Sequence, residues 1–280
     1  MANKISQVLY DNDFHKKKSL GQNFLYDNNL LDKIVSEAGI TSEDTVLEIG
    51  AGPGGLTSAL AKVAKKVVAV EIDRSLKPVL TENLAEFDNI TLLFTDFMKV
   101  DLAEFASEHL GESFKVVANL PYYITTPIIM KVLESGLNAL TMTIMVQKEV
   151  AQRIISNPGK KDYGVLSVMT QVRSEPSILF IVPATAFNPP PKVDSAMLHI
   201  DMSAGTKIPL VDIEGYYRIV RAAFSQRRKQ LANSLSSGLA INKVLAIEYI
   251  TLSGLSPQVR AERLSVMDFY NLYKQITSRN

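Results

Sequence analysis

Short β-branched runs alternate with stretches of helical spacing from Thr45 to Val146, and this alternation leaves few folds open. The runs are Thr45 to Ile49, Val67 to Glu71, Ile90 to Thr95, Phe114 to Asn119 and Thr141 to Val146. They are near-continuous in apolar character, which is expected of strands covered on both faces, and the segments between them are long enough for crossover helices. The pattern predicts an α/β, Rossmann-like fold with a mostly parallel sheet and helices on both faces. Ile178 to Pro183 and Ser195 to Asp201 read as two late strands, bringing the sheet to seven, joined through the proline-rich Asn188 to Lys192. Asn28 to Ala38 is a helix before the first long strand, with Leu30, Leu31, Ile34, Val35 and Ala38 at helical spacing and Gly39 placed to end it. A second helix, Gly54 to Ala64, puts Leu56, Ala59, Leu60 and Val63 on one face.

Beyond Ser203 the character changes. Tyr216 to Leu239 and Ala261 to Ile276 are helical in pattern, with Gly254 and Pro257 between them. A boundary near Ser203 to Pro209 divides the chain into an α/β domain, 1–205, and a small all-helical domain, 206–280, with 1–27 a basic N-terminal segment. A length of 280 residues with 46% hydrophobic content suffices for that arrangement. The absence of cysteine excludes disulfides and thiolate metal sites, and three scattered histidines argue against catalytic zinc, so no metal is expected. Residues 1–13 hold no apolar core of a signal peptide, and no stretch approaches the roughly 20 apolar residues of a membrane span. A cytoplasmic protein without membrane contact, monomeric, is the expectation.

After the first long strand comes Glu48-Ile49-Gly50-Ala51-Gly52-Pro53-Gly54-Gly55, a glycine-rich turn feeding a helix. Gly50 and Gly52 let the backbone approach a ligand that side chains would exclude. Gly50, Gly52 and Gly55 also satisfy the dinucleotide fingerprint, and Glu71 at the end of the next strand can take the ribose hydroxyls of a nicotinamide dinucleotide or of S-adenosylmethionine. The motif by itself says nucleotide-like cofactor, or a tight turn that binds nothing. Asp96 ends the third strand, where a carboxylate can accept from an adenine amino group; alone, it reads as a helix cap.

The fourth strand runs directly into Asn119-Leu120-Pro121-Tyr122-Tyr123. An exocyclic adenine amine is a poor nucleophile because its lone pair is delocalised into the ring. The Asn119 side-chain carbonyl and the Leu120 backbone carbonyl can accept its two N–H protons and aim the nitrogen at an electrophilic methyl carbon. Pro121 stiffens the turn, and the Tyr122 ring can stack on an extruded or unpaired base. Tyr123 is expected to pack inside. Together the strand ends predict S-adenosylmethionine as cofactor and adenine-amine methylation as chemistry.

At these residues the chain resembles the KsgA/RsmA (Dim1-type) family of small-subunit ribosomal RNA adenine dimethyltransferases. The resemblance runs through Ser19 to Leu25, Glu48 to Gly54, Asp96, Asn119 to Ile124, Gln147 to Ala151 and Phe187 to Ser195. It implies a class I S-adenosylmethionine-dependent methyltransferase fold whose segment Gln22 to Leu25 closes over the cofactor. By resemblance, Asn23, Leu25, Gly50, Glu71, Asp96 and Asn119 contact S-adenosylmethionine. The implied substrate is a pair of adjacent adenosines in the 3′-terminal hairpin loop of 16S rRNA, within an assembling small subunit. The similar Erm enzymes methylate a large-subunit adenosine instead, commonly with Ile in place of Leu120; a catalytically silent assembly or transcription factor on the same fold is a third reading. Phe187 can sandwich the target base opposite Tyr122, or pack in the core beside a proline turn.

Arg218, Arg221, Arg227, Arg228, Lys229 and Lys243 occur with no acid between Gly215 and Ile247, although net charge over the whole chain is only +1. Such a stretch suits phosphate contacts, with Arg221, Arg227, Arg228 and Lys229 the expected RNA contacts. Lys16, Lys17 and Lys18 form a second, smaller cluster. Either run can instead be a solvated face.

Overall fold

In the computed structural model of the 280-residue chain, residues 8–9, 23–209 and 212–278 are described. The strands are β1 (Phe24–Leu25), β2 (Thr45–Ile49), β3 (Lys66–Glu71), β4 (Ile90–Phe94), β5 (Phe114–Asn119), β6 (Ala139–Gln147), β7 (Glu175–Val182), β8 (Phe187–Asn188) and β9 (Ser195–Asp201). Seven form one sheet in the order β4-β3-β2-β5-β6-β9-β7; β1 and β8 form a separate antiparallel pair. Strands β4, β3, β2, β5 and β6 are mutually parallel, and β9 returns antiparallel to β6. The mostly parallel seven-stranded sheet expected from the sequence is therefore present.

The order reverses between β2 and β5. In open α/β sheets such a switch point opens a crevice at the carboxyl ends of the strands, because the flanking crossovers leave in opposite directions. Val46, Leu47, Val67, Val68, Val116 and Val117 are wholly or almost wholly buried, so the central strands carry apolar side chains on both faces. Helix Asn28–Glu37 buries Leu31, Ile34 and Val35 and is capped by the Asp27 carboxylate, which accepts from Asn29 N. The helix after the glycine turn spans Gly55–Ala61, shorter than the sequence pattern suggests. Val63 consequently falls past its end and is 40% exposed, not part of its buried face.

The chain divides into two compact units, Met1–Ala151 with Ser177–Ser203, and Gln152–Pro176 with Ala204–Asn280. The second begins where the sequence changes character but also claims Gln152–Pro176. Within it, Tyr163 Oη donates to Leu264 O at 2.7 Å, Tyr217 Oη donates to Met169 O at 2.9 Å, and Lys207 N donates to Val172 O at 3.0 Å. Tyr216, Tyr217 and Phe269 are almost wholly buried in this unit. The expected Tyr216 to Leu239 helix is two helices, Ile213–Phe224 and Leu231–Leu239, separated by residues 225–230. The unit also holds helix Val165–Gln171 from its earlier segment, helix Lys243–Leu252, and the terminal Val266–Thr277, capped reciprocally by Ser265 and Asp268.

Candidate functional site

A cleft of about 1140 Å³, counting its open mouth, lies at the carboxyl ends of β2, β3, β4 and β5 and is lined entirely by residues of the first unit. Every cofactor and catalytic candidate singled out in the sequence lines it: Asn23, Leu25, Gly50, Gly52, Glu71, Asp96, Asn119, Leu120, Pro121, Tyr122 and Phe187.

The floor is the glycine turn. Gly50 and Gly52 have φ of 81° and 56°, the left-handed region that side chains resist. A Cβ on Gly52 would also meet the Phe24 ring at 3.3 Å. The turn is tied from both sides: Asn83 Nδ2 donates to Pro53 O at 2.8 Å, and Gly52 N donates to Glu71 Oε2 at 2.8 Å. Glu71 Oε1 accepts from Asp73 N at 2.7 Å, so this carboxylate is fixed at the end of β3 by two backbone donors. Burial raises its pKa, against those hydrogen bonds.

Glu48, a β2 residue of the same cleft, was not singled out by sequence. It is 1% exposed and neither carboxyl oxygen has a hydrogen-bond partner among the described residues. The Thr57 hydroxyl is close enough to hold its pKa down a little, yet makes no bond by geometry, and Glu71 adds repulsion. Burial dominates and pushes the Glu48 pKa up to about 8.

Asp96 performs the capping role its type suggests: Oδ1 accepts from Met98 N at 3.0 Å. Its other oxygen lies 3.9 Å from the Lys99 ammonium. Lys131 holds this loop by donating to Met98 O at 2.9 Å and Val100 O at 2.7 Å.

At the end of β5 the Asn119 amide donates Nδ2–H to Asn23 O at 3.3 Å, which leaves Oδ1 without a hydrogen bond among the described residues. The Leu120 carbonyl is equally uncommitted there. Two successive acceptors thus stand idle at the cleft. Pro121 O accepts from Ile124 N at 3.1 Å and from Thr125 Oγ1 at 3.2 Å, closing a turn whose central residues are Tyr122 and Tyr123. Tyr122 is half-buried, and its hydroxyl meets Ser195 Oγ at 2.6 Å. Tyr123 departs from expectation: at the turn tip it is 62% exposed instead of packed inside. Phe187 is 4% exposed within the hydrophobic core yet lines the cleft, because pairing with Leu25 across β1 and β8 brings its segment beside residues 23–25.

The basic candidates lie elsewhere. Arg218, Arg221, Arg227, Arg228, Lys229 and Lys243 are all exposed on the second unit. Arg227, Arg228 and Lys229 occupy the break between two helices, and the Arg227 guanidinium donates to Lys161 O. That bond places the exposed Lys160 and Lys161 beside the arginines, a juxtaposition across 66 residues that sequence spacing cannot show. Lys16, Lys17 and Lys18 lie outside the described residues. No helix among the described residues is long and apolar enough to cross a membrane.

Comparison with known proteins gives consistent matches. The family model for ribosomal RNA adenine dimethylase matches residues 13–278. A Ribosomal RNA small subunit methyltransferase A of Caldanaerobacter subterraneus subsp. tengcongensis is 49% identical over 257 residues, covering 91% of this chain and 95% of that protein. Among solved structures, a dimethyladenosine transferase from Plasmodium falciparum aligns with a TM-score of 0.74 at 26% identity, covering 91% of this chain and 98% of that one. The 23S rRNA methyltransferase ErmE aligns with a TM-score of 0.69 at 27% identity, covering 91% and 100%.

Proposed function

The chain belongs to the ribosomal RNA adenine dimethylase family, and from that membership we propose that it transfers methyl groups from S-adenosylmethionine to N6 of two adjacent adenosines in the 3′-terminal hairpin loop of 16S rRNA. The work is done in the cytoplasm, by a monomer acting on the assembling small subunit. The 49% identity with a small-subunit methyltransferase, against 27% with the 23S enzyme, favours the small-subunit target.

The observation that carries the chemistry is the pair of idle acceptors, Asn119 Oδ1 and Leu120 O, on consecutive residues of a cleft built for a nucleotide-like ligand. The cleft fits S-adenosylmethionine: Gly50 and Gly52 admit close approach, Glu71 presents a fixed carboxylate for ribose hydroxyls, and Asp96 keeps an oxygen for an adenine amino group. Asn23 and Leu25 border it on the closing segment. The Glu48 carboxyl, buried and without a hydrogen-bond partner among the described residues, lies beside a site that must hold a cation. When bound, the cofactor supplies an electrophilic methyl group on a sulfonium.

The rest of the mechanism is positioning. Asn119 Oδ1 and Leu120 O accept the two N–H protons of the target amine, which orients its nitrogen lone pair out of conjugation with the ring. The bond from Asn119 Nδ2 to Asn23 O fixes which end of the amide faces the substrate. Tyr122 stacks on the adenine with its ring orientation set by Ser195, and Phe187 bounds the opposite side. No side-chain base is needed, since the amine loses its proton after attack. Arg221, Arg227, Arg228 and Lys229 contact phosphates on the second unit, with Lys16, Lys17 and Lys18 a further basic cluster; these supply affinity, while RNA shape and the cleft supply choice.

A tritiated-methyl assay on small-subunit particles lacking the modification tests the reading. Incorporation into adenines of the 3′-terminal loop is expected. Incorporation into large-subunit RNA alone, or none with a protein that binds S-adenosylhomocysteine normally, overturns it in favour of an Erm-type enzyme or a silent factor.

A further inference from the structure

Tyr123 is a large aromatic side chain that the fold neither buries nor engages. It is 62% exposed and makes no hydrogen bond, ring contact or cation contact among the described residues. Isolated exposed apolar groups are ordinary on protein surfaces, so exposure alone says little. Position says more. Tyr123 is the tip of the Pro121 to Ile124 turn, directly beside Tyr122, and it lines the same cleft. Ile72, after β3, is 52% exposed and also lines the cleft, so the rim carries two uncovered apolar groups.

The two tyrosines have opposite commitments. The Tyr122 hydroxyl is tethered inward to Ser195, whereas Tyr123 has no inward partner among the described residues. An RNA strand that delivers a base to Tyr122 must unstack it from its neighbours, and the neighbouring base then lacks a partner for one face. An exposed neutral ring one residue away is suited to replace that lost stack. It is not suited to hold phosphate, which calls for cations or N–H donors.

We propose that Tyr123 is a second base-stacking platform, taking the nucleobase adjacent in the strand to the adenine held in the cleft. The proposal rests on the RNA adenine methyltransferase reading and deepens it: the enzyme grips two consecutive bases, one committed to chemistry and one that holds the strand in register. Base-on-aromatic stacking is worth ~1–3 kcal/mol by alanine substitution, which corresponds to ~5- to 150-fold in affinity.

The test uses the full chain, saturating S-adenosylhomocysteine, and RNA hairpins with 2-aminopurine placed immediately 5′ or 3′ of the target adenine. Wild type and Tyr123→Phe quench the probe on one side; Tyr123→Ala does not, although its thermal unfolding midpoint is unchanged. An abasic nucleotide at the quenched position weakens wild-type binding ~5- to 150-fold and leaves Tyr123→Ala binding unaltered. No quenching by wild type at either position, or an abasic penalty that persists in Tyr123→Ala, overturns the proposal. Methylation of small-subunit particles lacking the modification by wild type is measured in parallel. If it occurs while the Tyr123 measurements fail, only the stacking platform is lost; if it never occurs, the functional reading itself fails.

Discussion

The Tyr122 hydroxyl lies 2.6 Å from Ser195 Oγ, a contact between the turn after β5 and the first residue of β9, 73 positions later in the chain. Ser195 is fully buried and Tyr122 only half so, which makes the serine the anchor and the ring the part that is held. Burial raises the Tyr122 phenol's pKa, so it stays protonated and able to donate at neutral pH. A ring held at its far end can present one face to a base without swinging.

Ser195→Ala is accordingly expected to lower methyl transfer ~3- to 10-fold, the worth of one neutral hydrogen bond, while S-adenosylhomocysteine affinity stays the same. Steady-state kinetics on unmodified particles, paired with calorimetry, separates the two. Unchanged kcat and KM would show that the tether does not orient the ring.

For Asn119→Ala we expect native folding and a loss of ~100-fold or more in kcat, because the target amine loses one of its two acceptors. Near-wild-type turnover would refute the positioning mechanism.

Glu71→Ala removes a carboxylate that Gly52 N and Asp73 N now share with the cleft. Charge-assisted hydrogen bonds are worth ~1.5–3 kcal/mol, so cofactor affinity is expected to fall ~10- to 100-fold. Calorimetric titration with S-adenosylhomocysteine checks this, and an unaltered dissociation constant contradicts it.

Glu48 predicts a pH dependence. Its folded pKa, about 8, lies above the ordinary carboxylate value of 4.5, so between these pH values the folded ligand-free protein binds the proton that the unfolded chain has released. Stability contributed by this group is therefore present below pH ~4.5 and is lost as pH rises toward 8, by at most ~1.4 kcal/mol per pH unit. Glu48→Gln flattens that slope. Parallel denaturant titrations from pH 5 to 8 that show equal slopes for variant and wild type would exclude a neutral Glu48.

Replacing Arg227, Arg228 and Lys229 together by Gln is expected to weaken RNA binding across sequences and to reduce the slope of log affinity against log salt by about 2–3. An unchanged salt slope would remove these side chains from the phosphate contacts.

Much of this architecture is legible in the sequence because the central strands are buried on both faces and must be apolar throughout. Six of the seven sheet strands begin within two residues of the positions read from β-branched runs, while β7 starts three residues early. The cleft follows by rule, since Gly50, Glu71, Asp96 and Asn119 all fall at carboxyl ends flanking the switch between β2 and β5. What stayed hidden depends on partners distant in sequence. Nothing near Ser195 announces Tyr122, and nothing near Lys161 announces Arg227. Glu48 looks like one more residue of a glycine motif until its burial without a partner is seen. An aromatic residue after an apolar strand is expected to turn inward, whereas the Pro121 O to Ile124 N turn sets Tyr123 at its tip.

The excursion of Gln152–Pro176 into the second unit constrains how such an enzyme can be rebuilt. A fragment beginning at Ala204 would lack Met169 and Tyr163, leaving the phenol of Tyr217 and the carbonyl of Leu264 without their acceptor and donor. Grafting this helical module onto another scaffold therefore needs three junctions in the gene, and a single crossover at the apparent boundary produces a module with a hole where its own earlier sequence belongs.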